Sequence, residues 1–208
     1  MLTTAALSTS IARLYSARQA LRAQLNEADS RLGDGDTGMT VERIIEHLQQ
    51  VPVAEGADLG QVFELFARAS ARASGSTLGT VVTFALTEAA QVLQGKREAA
   101  SGEVAAALAA AISAISDLAG SSIGDKTVLD SLDYMRRHLE KAPNSSSLAE
   151  TAIAAARDAL DDFRGRRCNV GRARMYAAKS VGMDDPGMLA AYLVLSLAAG
   201  VESVLVRE

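Results

Sequence analysis

Apolar side chains recur along this chain at intervals of three, four and seven residues, the spacing that places them on one face of an α-helix. Breaks that contain glycine, proline or small polar residues separate the periodic segments. The pattern predicts eight helices, whose apolar repeats cover residues 7–25, 41–48, 59–69, 77–93, 104–118, 128–139, 147–163 and 188–201. The β-branched and aromatic patches that are typical of strands are scarce.

Helix signals and short connections decide the fold class. Ser101 is predicted to cap the fifth helix, and Ser147 with Glu150 three residues later indicates a capping box for the seventh. Pro52 and Pro143 end the second and the sixth helix. Because the connections are short, we expect an all-α fold, an eight-helix antiparallel up-and-down bundle. No linker rich in Pro, Ser or Gly divides the chain, so residues 1–208 are predicted to form a single domain.

Composition and charge narrow the classes of partner. The chain is 49% hydrophobic but only 4% aromatic, which predicts a core of small side chains. The net charge is -4, and the one basic run lies between Arg164 and Arg174, so no nucleic-acid partner is expected. The N-terminus has no basic signal-peptide segment, and the apolar run from Met188 to Val201 is too short to span a bilayer. Cys168 alone excludes an internal disulfide, and we expect a cytoplasmic protein with no membrane partner.

An acidic, glycine-bearing loop follows the first helix. Asp29, Asp34 and Asp36 lie within eight residues, and glycines flank the last two, so the backbone can turn tightly there. Carboxylates held close together repel each other unless a proton or a cation neutralises them. Oxygen ligands in a tight loop favour magnesium, which completes its shell with water and phosphate oxygens. An EF-hand fits this loop badly because, counted from Asp34, methionine takes the sixth position and isoleucine the twelfth.

Two further loops carry candidate phosphate ligands. Ser74 and Gly75 precede the fourth helix, where unpaired N–H groups and the positive end of the helix dipole can hold an anion. Residues 120–127 place a lysine and a threonine at the spacing of a phosphate-binding P-loop. We reject that match because Asp125 stands where the motif needs glycine, and a helix precedes it where the motif needs a strand. Lys126 can still supply a cation near a site.

Each loop also has a purely structural explanation, and topology favours a site. The acidic loop can be a solvated turn with an N-cap for the helix after Gly38, and ordinary caps or surface turns explain the others. In an up-and-down bundle, however, the loops after helices one, three, five and seven share an end. That end would carry carboxylates, N–H groups, and Lys126 and Arg172 as cations, which are the parts that phosphoryl transfer needs. A solvated end without a ligand is the alternative.

Together these loops resemble the nucleotide-binding L subunit of dihydroxyacetone kinase, which also occurs as the C-terminal domain of single-chain dihydroxyacetone kinases. The resemblance covers nearly the whole chain. The motifs that carry it are Asp29-x4-Asp34-Gly35-Asp36-x-Gly38, Ser74-Gly75, Gly124-Asp125-Lys126-Thr127 followed by Leu129-Asp130, and Gly171-Arg172-Ala173 leading to Asp185-Pro186-Gly187. Their order and spacing are more specific than any one of them.

This resemblance implies an eight-helix barrel that binds ADP or ATP at one end through two magnesium ions. Asp29, Asp34 and Asp36 would be the metal ligands and, with Arg172, the catalytic residues. The nucleotide would contact Thr37, Thr40, Ser74, Gly75, Gly120, Val128, Arg172, Asp185, Pro186 and Gly187.

The resemblance also implies partners. In this family a separate K subunit or domain holds the ketose through a histidine, whereas His47 and His138 of this chain lie on predicted helices and are expected to be surface residues. The chain would be a glycerone kinase-like subunit that phosphorylates dihydroxyacetone or a related small ketose held on a K-type subunit. The phosphoryl donor would be ATP or a phosphorelay protein, and the assembly a homodimer or a heterotetramer.

Four positions depart from the family pattern. Thr37 and Thr40 stand where L subunits usually have histidine and asparagine, and Arg174 and Met183 replace the usual serine and histidine. The Asp-Gly-Asp-Thr-Gly form of the acidic loop is similar to the ATP-binding domain of fatty acid kinases, which shares this fold. Because the metal ligands are intact, a phosphotransferase subunit is the leading hypothesis. The alternatives are a non-catalytic ADP-binding regulatory subunit and the ATP-binding component of a fatty acid kinase-like system.

Overall fold

The computed structural model describes residues 1–143, 146–170 and 177–205. Within these ranges the fold consists of eight α-helices. They are α1 (Thr4–Ser30), α2 (Thr37–Gln49), α3 (Leu59–Ala73), α4 (Thr77–Val92), α5 (Ser101–Ala119), α6 (Val128–Lys141), α7 (Leu148–Arg164) and α8 (Pro186–Ala198). The other regular elements of the described ranges are the strands β1 (Leu2–Thr3) and β2 (Glu98–Ala99) and a 3₁₀ turn at Glu202–Val204.

The helices pack in sequence order around a closed ring. Each helix contacts the next one along the chain, and α8 returns to pack against α1. The strands β1 and β2 pair in antiparallel register, with Leu2 opposite Ala99, and so fasten the N-terminus to the connection between α4 and α5. This arrangement confirms the predicted all-α, eight-helix up-and-down bundle closed into a barrel.

The core consists of small apolar clusters between neighbouring helices. One cluster joins α1, α2 and α8 and includes Leu21, Leu25 and Leu193. On α7, Ala155 and Ala159 are fully buried against their neighbours. Since alanine side chains are short, the helices can approach closely and still fill the space between them.

Two predicted helix caps have different outcomes. Ser147 caps α7, since its Oγ accepts a hydrogen bond from the N–H of Glu150 at 3.3 Å. The prediction for Ser101 is wrong, because Ala100 holds the N-cap position of α5. The carboxylate of Glu103 accepts a hydrogen bond from the N–H of Ala100 at 2.8 Å. An acid in the first turn therefore fixes the start of this helix without a hydroxyl at the N-cap.

Within the described residues one helix has the dimensions of a membrane span. By length and composition, the segment of α5 from Ser101 to Leu118 is long and apolar enough to cross a bilayer. It lies between α4 and α6, where Ala105, Ala111 and Ile115 are buried. Because a core helix of a bundle meets the same criterion, this segment carries no argument for a membrane.

Candidate functional site

The loops after α1, α3, α5 and α7 meet at one end of the barrel and line a cavity of about 700 Å³. The prediction that these four connections share an end is therefore confirmed. The predicted site residues that line this cavity are Asp29, Asp34, Asp36, Thr37, Thr40, Gly120, Val128, Asp185, Pro186 and Gly187.

Three carboxylates converge at the rim of the cavity. Asp29, Asp34 and Asp36 each offer one oxygen, and these oxygens all lie within 4.8 Å of one another. Asp29 is buried, Asp36 is half-buried and Asp34 is exposed, so the group reaches from the barrel wall to solvent. Hard oxygen donors that leave one side open fit magnesium, because this ion usually retains several water or phosphate ligands.

Asp29 connects the last turn of α1 to the start of α2. Its Oδ2 accepts hydrogen bonds from the N–H groups of Asp36 at 3.0 Å and Thr37 at 3.1 Å. Asp36 occupies the N-cap position of α2, yet its side chain makes no capping hydrogen bond. The helix begins at Thr37 and not after Gly38, and the acid that caps it comes from the preceding helix. The carboxylate of Asp36 is therefore not needed as a cap.

Glycine is required at three positions of the acidic loop, for a different physical reason at each. Gly35 has a φ of 78°, a left-handed conformation that a side chain would strain. At Gly33 an added Cβ would overlap Oδ1 of Asp29, so only glycine leaves that carboxylate in place. At Gly38 an added Cβ would overlap the carbonyl oxygen of Arg22, which shows how closely α1 and α2 approach here. Turn geometry, room for an acid and helix packing thus each fix one glycine.

The start of α4 contributes hydroxyl groups to the same cavity. Ser76 is the N-cap of α4, with its Oγ accepting a hydrogen bond from the N–H of Gly79 at 3.1 Å. This Oγ lies 3.3 Å from Oγ1 of Thr40, which links the α3–α4 connection to α2. Ser76, Thr77 and Leu78 line the cavity, whereas Ser74 and Gly75 are not among the described lining residues.

Ser74 does not line the cavity but contacts Ser76, the cavity residue that the sequence analysis did not predict. Its Oγ donates a hydrogen bond to Oγ of Ser76 at 3.0 Å and accepts one from the N–H of Ser76 at 3.2 Å. Ser74 therefore orients Ser76, which faces the cavity. The predicted start of the fourth helix at Thr77 already implied that Ser76 was its N-cap.

The connection between α5 and α6 places backbone and apolar groups at the cavity, but not its lysine. Gly120 ends α5 in a left-handed conformation, and Thr127 caps α6 with its Oγ1 accepting from the N–H of Leu129 at 3.2 Å. Lys126 is only 1% exposed, and its Nζ donates hydrogen bonds to backbone oxygens. The expectation that Lys126 serves the site as a free cation is therefore wrong.

The connection between α7 and α8 closes the fourth side. Val170 and the turn formed by Asp185, Pro186 and Gly187 line the cavity. Pro186 is the first residue of α8, and Oδ1 of Asp185 caps this helix by accepting from the N–H of Met188 at 2.9 Å. Arg172 lies outside the described residues, as do its neighbours in the Gly-Arg-Ala motif.

The histidines lie on helices away from this cavity. His47 on α2 pairs its Nδ1 with the carbonyl oxygen of Arg43 at 2.9 Å. His138 on α6 has its Nε2 3.6 Å from the carboxylate of Asp158. Neither is among the residues that line the cavity.

Burial raises the pKa of Asp185 to about 6, against hydrogen bonds from the N–H groups of Met188 and Gly187 that lower it. An acid whose pKa is higher in the folded state stabilises the fold only while it is protonated. The free energy of unfolding of the metal-free protein should therefore fall as the pH rises through 6.

Asp185→Asn removes this titration and keeps a good N-cap. We expect the variant to exceed the parent in stability by on the order of 2 kcal/mol at pH 7.5, and by much less at about pH 4. Urea unfolding of both proteins at the two pH values measures the difference. A stability difference that does not change with pH would contradict the assignment.

Comparison with known proteins places these features in a family. The DAK2 domain model matches residues 31–200. L-erythrulose 1-kinase of Mycolicibacterium smegmatis is 35% identical over 176 residues, covering 80% of this chain and 30% of that protein. Human triokinase/FMN cyclase is 28% identical over 190 residues, covering 88% of this chain and 32% of that protein.

A solved structure shares the fold. The native dihydroxyacetone kinase of C. freundii superimposes with a TM-score of 0.70 at 26% identity, over 95% of this chain and 34% of that one. The same enzyme in complex with AMP-PNP and Mg²⁺ gives a TM-score of 0.65. The chain spans about a third of the length of the curated relatives it matches. On the domain match and the shared eight-helix barrel, this chain belongs to the DAK2 domain family.

Proposed function

We propose that this chain is an L-type, nucleotide-binding phosphotransferase subunit that phosphorylates dihydroxyacetone or a related small ketose held by a separate K-type subunit. The observation that carries the proposal is the convergence of Asp29, Asp34 and Asp36 at the rim of a cavity that also receives the start of α4. Relatives named as erythrulose kinase, triokinase and dihydroxyacetone kinase support a kinase, and the C. freundii complex supports Mg²⁺ and a nucleoside triphosphate.

We assign three tasks to the cavity residues: binding magnesium, binding phosphate and, on the apolar side, binding the rest of the nucleotide. The three carboxylates hold magnesium, for which we propose two ions, and Asp29 is itself fixed by the first N–H groups of α2. Magnesium held by these carboxylates would neutralise the negative charge that develops on the phosphates during transfer. The start of α4 and the hydroxyls of Thr40 and Ser76 offer donors to phosphate oxygens.

The apolar side of the cavity suits the remainder of a nucleotide. Leu78, Val81, Ile115 and Val128 line it beside the polar rim. The chain needs no nucleophile of its own, because the hydroxyl of the acceptor attacks the phosphoryl group directly. We assign to Arg172 the role of the cation that stabilises the transferring group.

The partner supplies the acceptor site in this proposal. The chain matches about a third of the length of its kinase relatives, and in this proposal a K-type subunit contributes the substrate-binding part. A homodimer or a heterotetramer with the K-type subunit, acting in the cytoplasm, would complete the enzyme. ATP and a phosphorelay protein are the two candidate phosphoryl donors.

Reconstitution tests the proposed function. The chain is mixed with a purified K-type subunit, dihydroxyacetone and Mg·ATP, and ³¹P NMR follows the sugar phosphate; a second reaction replaces ATP by a phosphorylated relay protein. Product that depends on both chains and on Mg²⁺ supports the proposal. Tight Mg·ADP binding without product from either donor would overturn it in favour of the regulatory subunit.

A further inference from the structure

Lys126 is the largest fully buried side chain that carries a charge within the described residues. Its Nζ donates three hydrogen bonds, to the carbonyl oxygens of Arg164 at 3.1 Å, Arg166 at 2.9 Å and Ser180 at 2.8 Å. An ammonium group has three donors and no acceptor, so these three bonds satisfy it completely. A buried lysine without such partners would be costly, which makes this arrangement specific.

The three acceptors belong to two separate segments of the chain. Arg164 ends α7 and Arg166 follows it, and carbonyl groups at the end of a helix carry partial negative charge. Ser180 lies in the turn that precedes α8. Because Lys126 itself belongs to the connection between α5 and α6, one side chain joins three segments of the cavity end.

Neighbouring hydrogen bonds reinforce the same junction. The N–H of Cys168 donates to Oγ of Ser180 at 2.9 Å, and the N–H of Asn169 donates to the carbonyl oxygen of Asp125 at 3.2 Å. The N–H of Gly182 donates to the carbonyl oxygen of Arg164 at 2.8 Å. We call this set of bonds around Lys126 the lysine junction.

The backbone at Lys126 is held in an unusual conformation. Its φ of 63° is left-handed, which is uncommon for a residue other than glycine and is maintained only when the surroundings determine it. Asp130 helps to hold the backbone in this conformation. Its buried carboxylate accepts hydrogen bonds from the N–H groups of Gly124 at 2.6 Å and Thr127 at 2.7 Å. The Gly-Asp-Lys-Thr segment is thus shaped to aim the lysine inward.

Both segments tied by the lysine lead directly into the cavity wall. Val170 follows the residues held at the end of α7, and Asp185 to Gly187 follow the turn that contains Ser180. We propose that Lys126 is a positioning residue that fixes this wall against the acidic loop and thereby sets the affinity for the nucleotide. The inference rests on the proposed function only through its nucleotide readout, since Lys126 is not among the residues that line the cavity.

Lys126→Met tests the proposal, because methionine keeps an unbranched side chain and removes all three donors. We expect amide hydrogen exchange at Cys168, Asn169 and Gly182 to accelerate about tenfold or more, since these N–H groups belong to the lysine junction. The affinity for Mg·ADP should fall about tenfold, as is usual when a group that supports the binding residues is lost. The affinity for Mn²⁺ alone should stay unchanged, because the three carboxylates lie on other elements.

Lys141→Met is the matched control, since it makes the same change on an exposed lysine at the end of α6 and should alter none of these readouts. A lysine that only stabilises the fold would lower the melting temperature and leave the nucleotide affinity of the folded protein unchanged, and that result would overturn the proposal. If Lys126→Met does not fold, Lys126→Gln replaces it, because the amide carries no charge and offers two hydrogen-bond donors in place of three. Unchanged exchange and nucleotide affinity in that variant would also overturn it.

If the chain binds no nucleotide, the exchange measurement still tests the lysine junction, whereas the proposed function fails on its own. Fast exchange at the three amides in Lys126→Met, with slow exchange in Lys141→Met, would then support the junction alone. Equal exchange in both variants would refute it.

Discussion

Asp34→Asn is expected to lower the affinity for Mg·ADP about 100-fold, equivalent to about 3 kcal/mol, and to leave the helices folded. Asp34 is exposed at the rim of the cavity, and its oxygen lies within 4.8 Å of the ligand oxygens of Asp29 and Asp36. The amide keeps the size of the side chain but removes the negative charge that a divalent cation needs. In the reconstituted system, phosphoryl transfer should fall about 1000-fold, since electrostatic stabilisation of the transition state is lost as well.

The control for this variant removes the same charge from the same end of the barrel. This control is Asp117→Asn. Asp117 lies in the last turns of α5, and its carboxylate is exposed and does not line the cavity. We expect calorimetric titration to show that this control variant binds Mg·ADP with the same affinity as the parent protein. Similar losses in both variants would attribute the effect to net charge, and full binding by Asp34→Asn would remove that residue from the metal site.

Gly33→Ala adds a single methyl group and is expected to lower both the metal affinity and the free energy of unfolding. The new Cβ would overlap Oδ1 of Asp29, so that carboxylate would have to move away from the N–H groups of Asp36 and Thr37. Leaving these donors unsatisfied costs about 1–3 kcal/mol in the free energy of unfolding. Displacing one of three ligands should weaken Mn²⁺ binding about 30-fold or more, by analogy with the loss of groups that orient metal ligands.

Gly102→Ala isolates this effect from a general effect of alanine. Gly102 lies in the first turn of α5, and an added Cβ there would meet no atom within 4 Å. Alanine at this position should raise stability by up to about 1 kcal/mol and leave Mn²⁺ binding unchanged. Urea unfolding and Mn²⁺ titration distinguish the two variants. Parental Mn²⁺ affinity in Gly33→Ala would show that Asp29 is not a ligand.

The helices and their common end could be predicted because both follow from the order of residues. Apolar spacing gives the helix faces, and the alternation of an up-and-down bundle places odd-numbered connections together. The acidic loop could also be recognised, since carboxylates separated by glycines are seldom brought together without a cation. Neither argument depends on knowing where any individual side chain points.

Side-chain direction is what the sequence could not supply. Lys126 looked like a cation for the site, but its left-handed backbone turns the side chain into the protein, and its partners are backbone carbonyls that have no sequence signature. The serines before α4 posed a similar problem, because Ser74 and Ser76 differ in role only through which hydroxyl caps the helix. Asp29 combines a cap and a candidate ligand, and only the folded junction of α1 with α2 shows the first of these.

The most direct test of the account is an electron–nuclear double resonance measurement on the protein with Mn²⁺ and ADP. If the three carboxylates hold a metal that carries the nucleotide, the bound Mn²⁺ will show hyperfine coupling to ³¹P, and both the bound Mn²⁺ and the coupling will disappear in Asp34→Asn. Nucleotide that binds equally well in EDTA, or bound Mn²⁺ without coupling to phosphorus, would contradict it.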